Sequence, residues 1–235
     1  MTTVLLHGFW GQPSDWNAVL RRLPLGASVW VPDLYELGPQ SPQHTIEQWV
    51  EHFHDELERR FSSEPVQVVG YSMGGRLALN AVVANPKRFS RVLLVSAAPF
   101  AHEPVGTRRQ WEQDWKLRFQ NESWDQLAKS WQDQPIFKNS LPEDRRQTPE
   151  LRTMLGLSLV NWSLTRHTFD EAQVKLLPPT VEWLFGALDQ KYMEIAKLLR
   201  NLPVQGQIKL IENAGHRIPT DAPEEVSTWV AKGDF

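Results

Sequence analysis

The 235-residue chain contains no cysteine, which excludes disulfides, thiolate nucleophiles and cysteine-based metal sites. No apolar run reaches membrane-spanning length, and the residues from Met1 to Leu6 carry no basic segment of the kind that opens a secretory signal. The formal net charge is only -3 and no basic run is interleaved with aromatics, so neither nucleic acid nor a membrane is an expected partner. The histidines form no recognisable metal-ligand set, no glycine-rich dinucleotide fingerprint occurs, and there is no internal repeat. These absences predict a cytoplasmic protein without cofactor or metal, its oligomeric state left open.

What is present organises around one stretch. Val66-Gln67-Val68-Val69-Gly70 is a β-branched run that feeds Gly70-Tyr71-Ser72-Met73-Gly74, and an apolar segment over 77–83 follows at once. Strand, tight G-x-S-x-G turn and helix in that order make a nucleophile elbow. A serine in a strained backbone corner needs neighbours without side chains so that its Oγ can stand clear above the sheet. Ser72 is therefore the candidate nucleophile.

The surrounding pattern predicts an α/β fold, a mostly parallel sheet with helices on both faces. Strands are expected at 3–6, 28–32, 64–70 and 91–96. Between them, Trp16, Val19, Leu20 and Leu23, and then Ile46, Trp49, Val50, Phe53 and Leu57, recur at helical spacing. Over 99–175 strand patterning stops and the chain becomes rich in tryptophan, of which it has eleven. Trp111, Trp115, Leu117 and Phe119 form one helical segment, Trp124, Leu127 and Trp131 the next, and Leu151, Leu155, Leu159 and Trp162 a third. This tract predicts a helical cap over 99–175, inserted after the fourth strand above the sheet's carboxyl edge, where open sheets bind ligands. Strands resume at 180–185 and 206–211, so that 1–98 and 176–235 make the core.

Loops after three of these strands supply Ser72, Asp189 and His216 in the order expected of a triad on such a sheet. A serine hydroxyl is a poor nucleophile and base until an imidazole takes its proton, and the imidazole needs a carboxylate to hold its tautomer. Asp189 competes with Asp170, Glu171 and Glu194. Its place behind Gly186-Ala187-Leu188 favours it, the plain alternative being a cap for a helix over 190–200. Oxyanion donors would be the backbone N–H groups of Phe9, in the loop His7-Gly8-Phe9-Trp10-Gly11, and of Met73 at the start of the elbow helix. His7 reads as a support for that loop. Arg76 begins a helix, where a cation is mildly unfavourable, and reads equally as an anion holder or a surface arginine. Arg108, Arg109, Lys116 and Arg118 read as a solvated face shared with Glu112 and Asp114, and Trp131 reads as core.

The elbow Gly70-Tyr71-Ser72-Met73-Gly74-Gly75-Arg76, the signature Trp115-x-x-Arg118-Phe119, and Trp131-x-x-Gln134-Pro135-x-Phe137 resemble one branch of the α/β-hydrolase superfamily. That branch is 2-succinyl-6-hydroxy-2,4-cyclohexadiene-1-carboxylate synthase, of menaquinone biosynthesis; His7-Gly8-Phe9, Leu188-Asp189-x-Lys191 and Gly215-His216 agree too. The resemblance implies a lyase that eliminates pyruvate from 2-succinyl-5-enolpyruvyl-6-hydroxy-3-cyclohexene-1-carboxylate, with Ser72, His216 and Asp189 as its base system. It implies a small-molecule substrate carrying several carboxylates, bound by Arg76 and Arg108, with Tyr71 and Trp131 completing the pocket. The chain departs from the family in two places. Tyr35-Glu36-Leu37-Gly38 stands where Pro-Gly-His-Gly is usual, with Glu36 expected near the mouth, and Arg217-Ile218-Pro219-Thr220-Asp221 lacks a second histidine and a glutamate often found there. The alternative readings are a serine carboxylesterase or carbon-carbon bond hydrolase using the same triad, and a non-catalytic binding protein that retains the fold.

Overall fold

Six apolar runs assemble into a single parallel sheet in the computed structural model, which describes residues 1–37, 44–101, 103–166, 170–178, 180–202 and 204–233. The strands are β1 (Thr3–Leu6), β2 (Val29–Trp30), β3 (Val66–Tyr71), β4 (Phe89–Val95), β5 (Val181–Gly186) and β6 (Ile208–Ile211), in the spatial order β2-β1-β3-β4-β5-β6. The expected strand over 28–32 shrinks to two residues because β2 is an edge that pairs only with Thr3 and Val4 of β1. The chain leaves β1 toward β2 and returns to the other side of β1 as β3. The order therefore reverses between β1 and β3, and the crevice beyond their carboxyl ends is the topological switch point at which such sheets bind ligands.

Strand residues alternate between two cores. Val4, Leu6, Val68, Val92, Leu94, Trp183 and Phe185 face one side, while Leu5, Val69, Tyr71, Leu93, Val95 and Leu184 face the other. Burial on both sides is why these strands read as continuous apolar runs. Helices α1 (Asn17–Leu20), α2 (Ile46–Phe61) and α3 (Met73–Ala84) follow the first three strands. The inserted helices α4 (Val105–Asn121), α5 (Trp124–Gln132), α6 (Pro149–Asn161) and α7 (Glu171–Lys175) lie between β4 and β5. Three more, α8 (Gln190–Asn201), α9 (Ile218–Asp221) and α10 (Pro223–Ala231), complete the chain. Helices α2, α3 and α8 pack on the first face, and α1, α9 and α10 on the second. Helix α2 starts at a reciprocal Thr45 and Gln48 capping box and buries the five apolar residues its period predicts.

In the insert, Ser123 and Gln126 cap α5, and Thr148 followed by Pro149 starts α6. Leu151, Leu155, Leu159 and Trp162 are buried as their spacing predicts, whereas Leu117 of α4 is 55% exposed, because Trp115 and Phe119 already occupy the packed side of that helix. Gly38, the last residue of the second loop, lies outside the described residues, as do 102 and 167–169 of the insert. Among the described residues, no helix is long and apolar enough to cross a membrane.

Candidate active site

Ser72 ends a strand and starts a helix at once. Its N–H donates to Val95 O at 2.8 Å, continuing the β3–β4 ladder, while its carbonyl accepts the Arg76 N–H at 3.1 Å, the first bond of α3. The backbone satisfies both only at φ 51°, a left-handed conformation that costs a serine about 1–3 kcal/mol. Glycines make the corner possible through backbone contact more than through clearance for the Oγ. A Cβ on Gly74 would run into the carbonyl oxygens of Leu6 and His7, so only glycine lets α3 sit this close to β1.

His216 Nε2 lies 3.1 Å from Ser72 Oγ, and His216 Nδ1 lies 2.7 Å from Asp189 Oδ2. Asp189 combines the two roles that its position suggests: Oδ1 accepts the Tyr192 N–H at 3.2 Å and caps α8, while Oδ2 holds the imidazole. Gly186 again permits the approach, since the Ala214 and Gly215 carbonyls cross where its side chain would stand. The competing carboxylates lie elsewhere. Asp170 caps α7, and Glu194 is an exposed partner of Lys197. Among the described residues, three aromatic rings enclose His216, with centroids at 4.7 Å for Tyr192, 5.5 Å for Tyr71 and 5.7 Å for Phe137. Burial pushes the Tyr192 phenol up to about 12 and raises the Tyr71 phenol well above the usual tyrosine range, so both remain neutral at pH 7. Sequence patterning does not single out Tyr192. The signal for its real place was local, because an aspartate that caps a helix holds the amide three residues on.

Phe9 and Met73 both line a cavity of about 1020 Å³ that also receives Ser72 and His216, and among the described residues neither backbone N–H has an acceptor within the protein. The Phe9 loop is braced from below. The His7 ring donates from Nδ1 to Gly8 O at 2.9 Å and accepts the Leu34 N–H on Nε2 at 3.0 Å, which fixes one neutral tautomer. The Trp10 N–H donates to Tyr35 Oη at 2.7 Å, the Trp10 indole donates to Arg146 O at 2.9 Å, and Arg145 Nη1 donates to Trp10 O at 3.1 Å. Glu36, the charge expected at the mouth, does not border the cavity; its side chain is 71% exposed beside Arg146.

Arg76 and Arg108 both line this cavity. Arg76 crosses from α3 to donate to Trp162 O at 2.8 Å. Burial, and then the neighbouring Arg108 charge, pull its guanidinium down to about 10, so it is charged at neutral pH but at a cost that a bound anion would relieve. Arg108 is not the solvated residue its helix suggested: its Nε donates to the buried Glu112 at 2.6 Å, and its guanidinium covers Trp111 at 4.5 Å. Arg118 pairs with Glu122 at 2.7 Å over Trp115, and neither it nor Arg109 borders the cavity. Trp131 is both core and wall. It is 6% exposed, packs against Phe9 at 4.6 Å and Trp115 at 4.8 Å, and presents an indole N–H without a protein partner.

A family profile described as "Alpha/beta hydrolase family" matches residues 3–229. Among curated proteins, the chain is similar to 2-succinyl-6-hydroxy-2,4-cyclohexadiene-1-carboxylate synthase of Enterobacter sp. (strain 638), 26% identical over 245 aligned positions that cover 97% of this chain and 90% of the relative. Among solved structures it resembles MenH from S. aureus with a TM-score of 0.84 at 20% identity, covering 99% of this chain and 92% of that one. A meta-cleavage product hydrolase from Pseudomonas fluorescens shares the fold less closely, with a TM-score of 0.72 at 16% identity, covering 99% and 89%. With its strand order, its elbow and a profile match over nearly its whole length, this chain belongs to the alpha/beta hydrolase family.

Proposed function

We propose that the protein is a carbon-oxygen lyase of menaquinone biosynthesis, eliminating pyruvate from 2-succinyl-5-enolpyruvyl-6-hydroxy-3-cyclohexene-1-carboxylate to leave 2-succinyl-6-hydroxy-2,4-cyclohexadiene-1-carboxylate. The observation that carries this reading over ester hydrolysis is the pair of largely buried guanidiniums, Arg76 and Arg108, that share the cavity with Ser72. Glu112 offsets part of the Arg108 charge, yet two guanidiniums partly stripped of water on one cavity wall still favour an anionic ligand, and this substrate brings three carboxylates. The substrate of the relatives' named product fits the same cavity chemistry, and the inserted helices serve as its cap.

The two compound names dictate the electron shift. The proton on ring carbon 2, acidified by the adjacent succinyl carbonyl, passes to Ser72 Oγ, whose own proton has gone to His216 Nε2. The electron pair left on carbon 2 spreads onto the carbonyl oxygen, where the Phe9 and Met73 amides donate to the developing charge. As the pair moves back, the 2,3 double bond forms, the 3,4 double bond shifts to 4,5, and the carbon-oxygen bond at carbon 5 breaks. Enolpyruvate leaves and takes up a proton to become pyruvate. Asp189 holds the imidazole tautomer and offsets its charge throughout. Ser72 stays unacylated, which separates this path from a hydrolase cycle.

The test is pyruvate release from freshly prepared substrate by wild type and Ser72→Ala, with p-nitrophenyl acetate as the competing substrate. Release that depends on Ser72 without a covalent intermediate supports the lyase. Acylation of Ser72 during turnover, or rapid ester cleavage with no pyruvate, overturns it.

A further inference from the structure

A carboxylate already sits among the cavity's cations, and it belongs to the chain itself. Glu103 stands just before α4, where the chain leaves the sheet for the insert, and borders the cavity beside Arg108 and Lys191. One oxygen, Oε1, lies 3.5 Å from Arg108 Nη1 and 3.6 Å from Lys191 Nζ. Both separations exceed the roughly 2.7–2.9 Å of a well-formed charge-assisted hydrogen bond. The contrast with Glu112 is internal to the same arginine: Glu112 takes Arg108 Nε at 2.6 Å and is almost wholly buried, a permanent partner. Glu103 instead is loosely shared, partly exposed, and attached at the start of a helix whose N-cap is Pro104, with no side-chain cap bond.

Lys191 is the less expected member. It is the second residue of α8, two positions after Asp189, so the helix that Asp189 caps also fixes the origin of the Lys191 side chain. Arg108 comes from the insert and Lys191 from the core, and Glu103 pairs with both. A ligand carboxylate in that position could take a two-point grip that Glu103, tethered by its own backbone, makes only at long range.

We propose that Arg108 and Lys191 form a carboxylate subsite of the cavity, distinct from Arg76, and that Glu103 occupies it in the empty protein as an internal competitor that the ligand displaces. The inference rests on the tricarboxylate reading above for the identity of the natural ligand. The subsite requires only a small polycarboxylate. Binding swaps one carboxylate for another, so the two cations are never left bare in the cavity and the entering group does not meet the full cost of stripping water from both. Burial also pushes the Lys191 ammonium down, which makes it readier to gain from a closer anion.

The experiment uses propane-1,2,3-tricarboxylate as probe, measured by calorimetry on the full chain, alongside KM for the enolpyruvyl substrate. Glu103→Gln is expected to bind the probe about two- to fivefold more tightly and to lower KM in parallel, a range matching the worth of a partly exposed ion pair. Lys191→Met should weaken both by a similar factor. In the Lys191→Met background, Glu103→Gln should recover less than half of its single-variant gain, because the two act on one subsite. Circular dichroism and thermal melting check that each variant is folded. Unchanged or weaker probe binding in a folded Glu103→Gln, fully additive effects, or no measurable probe binding by either wild type or Glu103→Gln would overturn the subsite. Tighter probe binding by Glu103→Gln in a protein that releases no pyruvate would leave the subsite standing and overturn the reaction assigned to it.

Discussion

Replacing Tyr35 by phenylalanine removes one oxygen, and the structure says what that oxygen does. Tyr35 Oη receives the Trp10 N–H at 2.7 Å in a fully buried setting, and Trp10 holds φ 56°, a left-handed conformation that a tryptophan does not adopt unaided. Phenylalanine keeps the ring stacked near Trp162, at 6.3 Å between centroids, so packing is nearly preserved while the amide loses its acceptor. An unsatisfied buried N–H costs about 1–3 kcal/mol. In a protein of this size each kcal/mol lowers the melting temperature by about 2–4 °C, which predicts a fall of about 2–12 °C.

The catalytic consequence follows from sequence adjacency. Trp10 is the residue after Phe9, which lines the cavity, so relaxation of Trp10 tilts a proposed oxyanion donor. Complete loss of such a donor costs about 10²–10³ in kcat. A loosened donor should cost about tenfold, well inside that ceiling. Tyr35 does not line the cavity, so KM should stay within about twofold, as for an interaction made only in the transition state. Steady-state pyruvate release, coupled to NADH consumption by lactate dehydrogenase, separates the two parameters, and differential scanning fluorimetry follows stability. A Tyr35→Phe enzyme that melts early but keeps wild-type kcat would show that the bond is structural only. A rise in KM with kcat intact would place the effect on the wrong state and refute the oxyanion reasoning.

Gly74→Ala should fail on backbone grounds, since its Cβ meets two carbonyl oxygens of the β1 end. A loss of about 3 kcal/mol or more in urea unfolding is expected, and a wild-type midpoint would be disproof. Arg76→Met should raise KM for the tricarboxylate about tenfold or more while sparing a neutral ester; equal losses on both substrates would remove its role as an anion holder. Lys191 binds a carboxylate only while protonated, and burial has lowered its pKa, so probe affinity should be full near neutral pH and decline before the ordinary lysine range is reached. That decline should be missing from Lys191→Met; an identical profile in both proteins would exclude Lys191 from the site.

Strands and elbow were legible because burial on both faces forces β-branched runs, and because a strand that turns directly into a helix leaves a glycine-serine-glycine trace. The hydrogen-bonded line of Ser72, His216 and Asp189 was legible for a related reason. Ser72, Asp189 and His216 each follow a strand end, and in a parallel sheet all such ends lie on one edge. Polar clamps were not legible. Trp10 and Arg146 are 136 positions apart, and Arg146 and Asp33, paired at 2.7 Å, are 113 apart. Nothing in local period or spacing encodes such a pairing. Arg108 misled for a different reason, because the carboxylate that buries it, Glu112, sits one turn along the same helix and looks like the other half of a surface pair.

The two departures from the family pattern acquire a common explanation in those clamps. Tyr35 stands in the first and holds Trp10. The second supplies Arg217 and Asp221. Arg217 is wholly buried and donates to Gln132 Oε1 at 2.7 Å and to Leu141 O at 2.8 Å, while its Nε pairs with Glu143 at 3.0 Å. Asp221 accepts the Ser140 hydroxyl at 2.8 Å and the Leu141 N–H at 2.9 Å on one side, and the Gly215 N–H at 3.1 Å on the other. Residues directly after His216 therefore grip the segment that carries Phe137, one of the three rings around the imidazole. Loss of the Asp221 clamp would free Gly215 and Leu141 together, so the histidine and the aromatic wall above it would lose register as a unit. The first departure thus braces the Phe9 loop within the core, and the second ties the His216 loop to residues 132–143 of the insert. Neither departure touches the contacts of 3.1 Å and 2.7 Å along Ser72, His216 and Asp189.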